Sequence, residues 1–475
     1  MGNNEKWVPS LLSVSLARYV PLLNEEIYCR NCQTLFASWQ SWRLFLMNEG
    51  MRSSNRQVIS WALYDWANSA FSTTVLAGFF PVFFKEFWSV GSDPVQSSTQ
   101  LALIHTCASL LIALLSPFLG ILADKTGAGR RLLIMFSMLG VVSTCALPLA
   151  GSGQWLFAAV LFGLAQLGFN GALVFYDSMI VSVSRGRSSD MISTLGYSLG
   201  YLGGGLQFAL CVLMYHKPEW FGLASSTSAI QVAFVFTGIW WGLFALPLIF
   251  SSAGDAPVEG QRFSLRIIRA GLTEIFSTIR QIRLYRPVVY MLLGYWLYID
   301  GVNTVIKMAV DYGRTVGFGA QDLVLALLIT QFVGFPSAIA FGWLGQRWGA
   351  KRGILVGIGV YFILILWAAR MQHVWEFYAM AIGIGLVQGG VQALSRSYFA
   401  SIIPADRSAE FFGFFNLVGR FASILGPLLI AGTESLTHSH SLGISSVALL
   451  FAAGGALLWM VNPTRKAVQV EAGTI

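Results

Sequence analysis

About twelve stretches of some twenty mostly apolar residues, most separated by short polar turns, constrain this chain more than any other feature in it. A helix needs roughly 20 such residues to cross the hydrocarbon core of a bilayer. Only helices and closed barrels satisfy every backbone polar group there. The approximate spans are 58–84, 99–123, 131–150, 154–180, 191–214, 229–250, 287–310, 321–344, 353–369, 375–399, 410–433 and 442–462. Composition agrees: 55% of the residues are hydrophobic and only 11% charged, against about 25% charged in soluble domains. The expected class is an all-α membrane protein. Both its halves, 51–250 and 287–465, hold six helices, with a linker at 251–286 and a tail at 466–475.

Charge in the connections sets the orientation, because cytoplasmic loops retain Lys and Arg. Alternate connections carry Lys125, Arg130, Arg131, Arg185, Arg187, Arg347, Lys351, Arg352 and Arg407. The chain ends of the apolar region add Arg52, Arg56, Arg465 and Lys466, and the linker adds six arginines from Arg262 to Arg286. The opposite connections hold little beyond Lys85, Lys217, Arg314 and Arg370. Both termini are therefore expected in the cytoplasm. The net charge of +8 is then explained by the membrane and needs no nucleic acid.

Within the linker, Leu265, Ile268, Leu272, Ile275, Ile279 and Ile282 recur every three or four residues, with arginines on another face. This pattern predicts an amphipathic helix on the inner membrane surface. Residues 1–50 contain no adequate span and are expected to be a disordered extension or an over-long start. Cys29 and Cys32 lack a second ligand pair for zinc, and Cys107, Cys145 and Cys211 lie in apolar runs, so neither a metal site nor a disulfide framework is expected.

The two halves repeat each other. "GILADKTGAGRR", from Gly120, overlays "GWLGQRWGAKR", from Gly342: Gly127 meets Gly349, and Arg130 meets Arg352. "WALYDWANS" (61–69) overlays "WLYIDGVNT" (296–304), so Trp61, Asp65 and Asn68 match Trp296, Asp300 and Asn303. Spacing i, i+4, i+7 places each trio on one helical face. The expectation is that helices one and seven present these faces to the other half. Parallel six-helix repeats with a binding site between them are a secondary-transporter architecture.

"GILADKTGAGRR" resembles the signature between helices two and three of the Major Facilitator Superfamily. "YDWANSAFSTTV", "GYSLGYLGGG", "VQGGVQALSRSYFASIIP" and "AEFFGFFNLVGRF" resemble its Unknown Major Facilitator group, related to vacuolar amino-acid effluxers of the autophagy pathway. The resemblance spans about residues 55–465. It implies the Major Facilitator fold, and a conformational latch in which Asp124, with Arg130, Gly120 and Gly127, helps close the inner side. Gln346 replaces the acid in the second copy, so the latch is expected to be one-sided. In "GYSLGYLGGG", Tyr201 stands where exchangers of the superfamily have proline, and the small residues are read mainly as close helix packing.

Asp65 and Asp300 are the candidate coupling carboxylates, because an acid in a partly dry cavity can take up and release a proton. Each Asp–Asn pair can instead brace its helix against a neighbour. Asn68 and Asn303 add hydrogen-bonding capacity without charge. Lys307 lies on the Asp300–Asn303 face, there to neutralise Asp300, to receive a substrate carboxylate or to snorkel at the outer end of the helix. "FYDSM" roughly overlays "LSRSY", which gives Asp177 and Arg396 nearly equivalent places and invites a pair across the cavity beside Tyr176. Gln388, Gln392, Asn416 and Arg420 are further polar candidates.

These positions favour a secondary active transporter of small solutes, with amino acids or related metabolites implied by the resemblance. Export, proton coupling and action as a monomer are expected, in a bacterial inner membrane rather than an organelle membrane. The alternatives are a transporter-like sensor or scaffold, or an exporter of an unrelated small molecule or drug. An enzyme is not expected: no nucleophile, metal or acid–base set clusters, no cofactor motif is present, and no phosphate-binding loop supports ATP-driven pumping.

Overall fold

Each apolar stretch becomes a helix, since inside a bilayer no other open element pairs all its own backbone groups. In a computed structural model that describes residues 52–91, 93–251, 280, 285–315, 320–371 and 373–461, twelve helical segments are long and apolar enough to cross a membrane. They are α1 (Asn55–Trp88), α2 (Thr99–Thr126), α3 (Gly129–Leu149), α4 (Trp155–Val183), α5 (Ser189–His216) and α6 (Ser226–Ile249) in the first half. The second half contains α7 (Arg286–Ile306), α8 (Asp322–Trp348), α9 (Ala350–Ala368), α10 (Trp375–Ile402), α11 (Ala405–Thr437) and α12 (Ser441–Met460). The unit from Arg56 onward holds the architecture discussed below.

The outside of the bundle is apolar. Leu111, Val142, Leu156, Leu243 and Ile363 are among its exposed side chains. Such a surface suits lipid and would be an aggregation liability in water. Polar residues collect inside instead, with Asp65, Asn68, Asp177, Asp300 and Arg396 all buried.

The halves join through two equivalent interfaces, α2 with α11 and α5 with α8. At both, a repeat glycine sits at a close approach. A Cβ on Gly120 would collide with the Ala409 carbonyl, and one on Gly342 with the Thr194 hydroxyl. The matched turns are also made by glycines, Gly127 at φ +62° and Gly349 at φ +88°, where a side chain would be strained. On α5, Gly200, Gly203 and Gly204 press against Ser69, Trp66 and Thr73 of α1. Close packing is thus the visible work of "GYSLGYLGGG".

Several helices depart from regularity, and two of these departures, in α1 and α11, bear on the site. Beyond Ala70, α1 widens into π-helical turns over Phe71–Phe79 and again over Phe84–Trp88. The sequence predicted α11 unbroken over 410–433, but it consists of helices Ser408–Phe421 and Leu425–Thr437, parted at Ala422–Ile424. Polar groups of α7 take up the backbone groups freed there. Of the linker read at 251–286, only Ser251, Arg280, Tyr285 and Arg286 are described. The 1–50 extension, Cys29, Cys32, the 466–475 tail and the Lys307 side chain lie outside the described residues.

Candidate functional site

A cavity of about 490 Å³ lies between the halves, lined by α1, α4, α5, α7, α8, α10 and α11. It runs from Phe377, early in α10, to Arg396, near the other end of that helix. Its floor at Arg396 faces the end of the bundle where the arginine-rich turns lie, here called the basic end. Asp65, Asn68, Asp177, Gln388, Gln392, Asn303 and Asn416 supply polar lining.

Arg396 closes the floor. Its guanidinium reaches from the second half into the first, 3.3 Å from Asp65 Oδ2 and 3.1 Å from Asp177 Oδ1. Nε donates to the Ser193 hydroxyl, and Nη2 to the Ser193 carbonyl, each at 2.9 Å. The guanidinium carbon lies 4.7 Å from the Trp61 ring centre and 4.5 Å from that of Tyr197. A desolvated contact of this kind is worth about 2 kcal/mol. Trp61 is fixed in turn by stacking on Tyr176, with centroids 4.6 Å apart, and by donating its indole N–H to the Tyr176 carbonyl. Asn416 donates to the second Asp177 oxygen at 3.3 Å. One guanidinium thus holds two carboxylates, and the cluster is one positive charge short when both are ionised.

Asp300 has a different environment. It is fully buried, and its oxygens accept three backbone N–H groups: Ile424 and Leu425 at 3.0 Å each, and Gly426 at 2.7 Å. These are the orphan donors that begin the second part of α11, so Asp300 caps that helix from a neighbouring one. On the same α7 face, Trp296 donates to the Phe421 carbonyl at 3.3 Å, and Asn303 donates to the Ala422 carbonyl. The three side chains together satisfy the break in α11. The face was expected to look toward the other half. It is instead bonded within its own half, because discontinuous backbone at membrane depth must find partners. Both amides line the cavity, but unlike that of Asn303 the side-chain nitrogen of Asn68 is buried without an acceptor among the described residues.

At the basic end Asp124 caps the start of α11, accepting from Ala409 N at 3.2 Å and Glu410 N at 2.8 Å. Arg130 donates to the Ile249 carbonyl at the end of α6. Gln346 is exposed. At the corresponding corner, Asp190 of α5 accepts from Ser397 of α10 at 2.5 Å, and Ser193 donates to the Ala393 carbonyl at 2.7 Å. The second corner therefore has an acid too, placed on the partner helix. Asp190, Ser193 and Tyr197 escaped the sequence reading. Asp190 follows Ser188 and Ser189 in an ordinary helix start, and Tyr197 sits in the glycine stretch assigned to packing. Among the described residues, no group of three or more His, Cys, Asp or Glu could hold a metal ion.

Comparison with known proteins agrees with this architecture. The family model described as "Vacuole effluxer Atg22 like" matches residues 89–186 and 181–471. A Bacillus subtilis (strain 168) protein described as an uncharacterized MFS-type transporter, YxiO, is 37% identical over 418 residues, covering 86% of this chain and 96% of its own length. Autophagy-related protein 22 of Saccharomyces cerevisiae (strain S288c) is 21% identical over 477 residues, covering 82% and 89% respectively. The crystal structure of the human organic anion transporter MFSD10 (TETRAN) superposes with a TM-score of 0.66 at 13% identity, over 87% of this chain and all of that one. The proton:xylose symporter XylE gives 0.60 at 12% identity, over 86% and 95%. The chain is a multi-pass membrane transporter of the Major Facilitator fold and belongs to the Atg22-like effluxer family.

Proposed function

We propose that this protein moves small zwitterionic metabolites, amino acids foremost, by proton-coupled alternating access, and that it exports them. The observation that carries the reading is Arg396 of one half clamped on Asp65 and Asp177 of the other at the cavity floor. Rocking the halves apart must break this cluster. Splitting a buried charge cluster without compensation costs about 3–5 kcal/mol. A proton on Asp65 and a bound solute can together offset that cost, which ties opening to both. Tyr176, Asn68 and Gln392 line or frame the place where the solute sits. The Asp124 cap and the Asp190–Ser397 bond are two further latches on the same side.

The arginine-rich turns support a topology with the basic end and both termini in the cytoplasm. The cavity floor then faces inward. The bacterial relative supports a cell membrane, and the fungal relatives leave a vacuolar membrane as the alternative. The test is flux of a panel of amino acids in proteoliposomes with an imposed pH gradient. Gradient-driven flux is expected, and Asp65→Asn is expected to move solute without responding to the gradient. Undiminished gradient-driven flux in Asp65→Asn would remove Asp65 from coupling.

A further inference from the structure

Four charged side chains line the cavity among the described residues: Asp65, Asp177, Arg396 and Arg420. The two arginines differ sharply. A guanidinium has five N–H donors in a fixed fork. Arg396 makes five hydrogen bonds, one from Nε, two from Nη1 and two from Nη2. Aromatic rings of Trp61 and Tyr197 lie within 4.7 Å of its guanidinium carbon. It has nothing left to offer a ligand while the floor is closed. Arg420 is partly buried and lines the cavity, yet among the described residues no carboxylate lies within ion-pair distance and no hydrogen bond holds its guanidinium.

Its placement is built. Arg420 lies one turn beyond Asn416, the residue on Asp177, so it projects from α11 about 6 Å further along the axis, away from the floor. It occupies the last turn of Ser408–Phe421, where the helix dipole favours a cation. That turn ends there because Trp296, Asp300 and Asn303 hold the break that follows. Asp177, Tyr197 and Tyr295 lie within electrostatic range of it.

We propose that Arg420 is the anion-receiving residue of the cavity: its free fork takes the carboxylate of the transported solute, while Arg396 stays on the gate. This rests on the reading of the cavity as the solute path and deepens it. A planar guanidinium pairs with a carboxylate through two parallel bonds, which gives direction as well as attraction. An unpaired guanidinium in a confined cavity is poorly solvated, so it favours a solute that brings a negative group over one that does not.

The test labels arginines of the full chain in detergent with phenylglyoxal and locates the adducts by peptide mass spectrometry. Arg420 is expected to react, and Arg396 to resist. A mixture of the common L-amino acids should slow labelling of Arg420 at least about tenfold, the value of one charge-assisted bidentate pair. The matching mixture of decarboxylated amines, and inorganic phosphate, should not. Equal labelling under every condition, an inert Arg420, or protection by phosphate alone would overturn the assignment. In proteoliposomes Arg420→Gln should raise KM for carboxylate-bearing solutes at least about tenfold, with partial recovery in Arg420→Lys. An unchanged KM in Arg420→Gln overturns the proposal while transport stands. Wild-type vesicles that move no solute would instead sink the transport reading, and the labelling arm still decides the role of Arg420.

Discussion

Trp61, Asp65 and Asn68 on α1 and Trp296, Asp300 and Asn303 on α7 share one spacing and keep different company. The α1 trio borders the cavity floor, and its carboxylate accepts from guanidinium N–H groups at 3.3–3.4 Å that belong to the opposite half. The α7 trio is bonded to the broken backbone of α11 in its own half, through three N–H groups and two carbonyls. A partner on the other half can withdraw when the halves move. A helix end in the same half moves with the carboxylate. A proton on Asp65 would remove the excess negative charge that Asp65 and Asp177 together hold against Arg396. Duplicated sequence thus supplies the brace on α7 and the carboxylate of the proposed gate on α1.

The sharpest way to break this contrast is to delete the brace. Asp300→Ala orphans three backbone donors, each worth about 1–3 kcal/mol when buried and unpaired. A destabilisation of about 4 kcal/mol is expected, read as a steep fall in folded yield and melting temperature in detergent. Asp65→Asn keeps shape and part of the bonding, so its melting temperature should stay near wild type while coupling is lost. Equal thermal losses in the two variants would dissolve the distinction between gate and brace.

Arg396→Gln comes next. It leaves Asp65 and Asp177 without their cation, and about 3 kcal/mol of inter-half attachment should go with it. Spin labels at Arg185→Cys and Gln346→Cys, in a background without the native cysteines, should report longer distances across the basic end. No lengthening would mean that the Asp124 and Asp190 latches hold that end shut by themselves.

The fold was legible because the membrane dictates it. Apolar length located the twelve helices, and matched glycines such as Gly127 and Gly349 marked the repeat. The site was legible only in part. Residues 65 and 300 look alike in sequence, since neighbours four and seven positions apart say which face they share but not what that face meets. The break at Ala422–Ile424 was signalled only by Gly426 and Pro427 just beyond it, since Pro427 has no N–H for the Ser423 carbonyl; that α7 would take up the freed backbone groups was not legible. Asp190 and Ser193 read as a routine helix start, although they contact α10 some 200 residues away.

The smallest expected effects test the same contrast through the amides. Asn303 donates to the Ala422 carbonyl, so Asn303→Ala loses a hydrogen bond and leaves a partly buried acceptor, at about 1 kcal/mol. Asn68 has a buried amide nitrogen with no acceptor among the described residues, so Asn68→Ala should cost less stability or even add some. Its effect should appear instead in transport, as a raised KM with little change in melting temperature, because Asn68 lines the cavity. Thermal unfolding and flux measured on both variants should therefore give opposite rankings. If Asn68→Ala proves the more destabilising and the kinetically silent one, the α1 face is a brace as well, and the gate must be assigned to Asp177 and Arg396 alone.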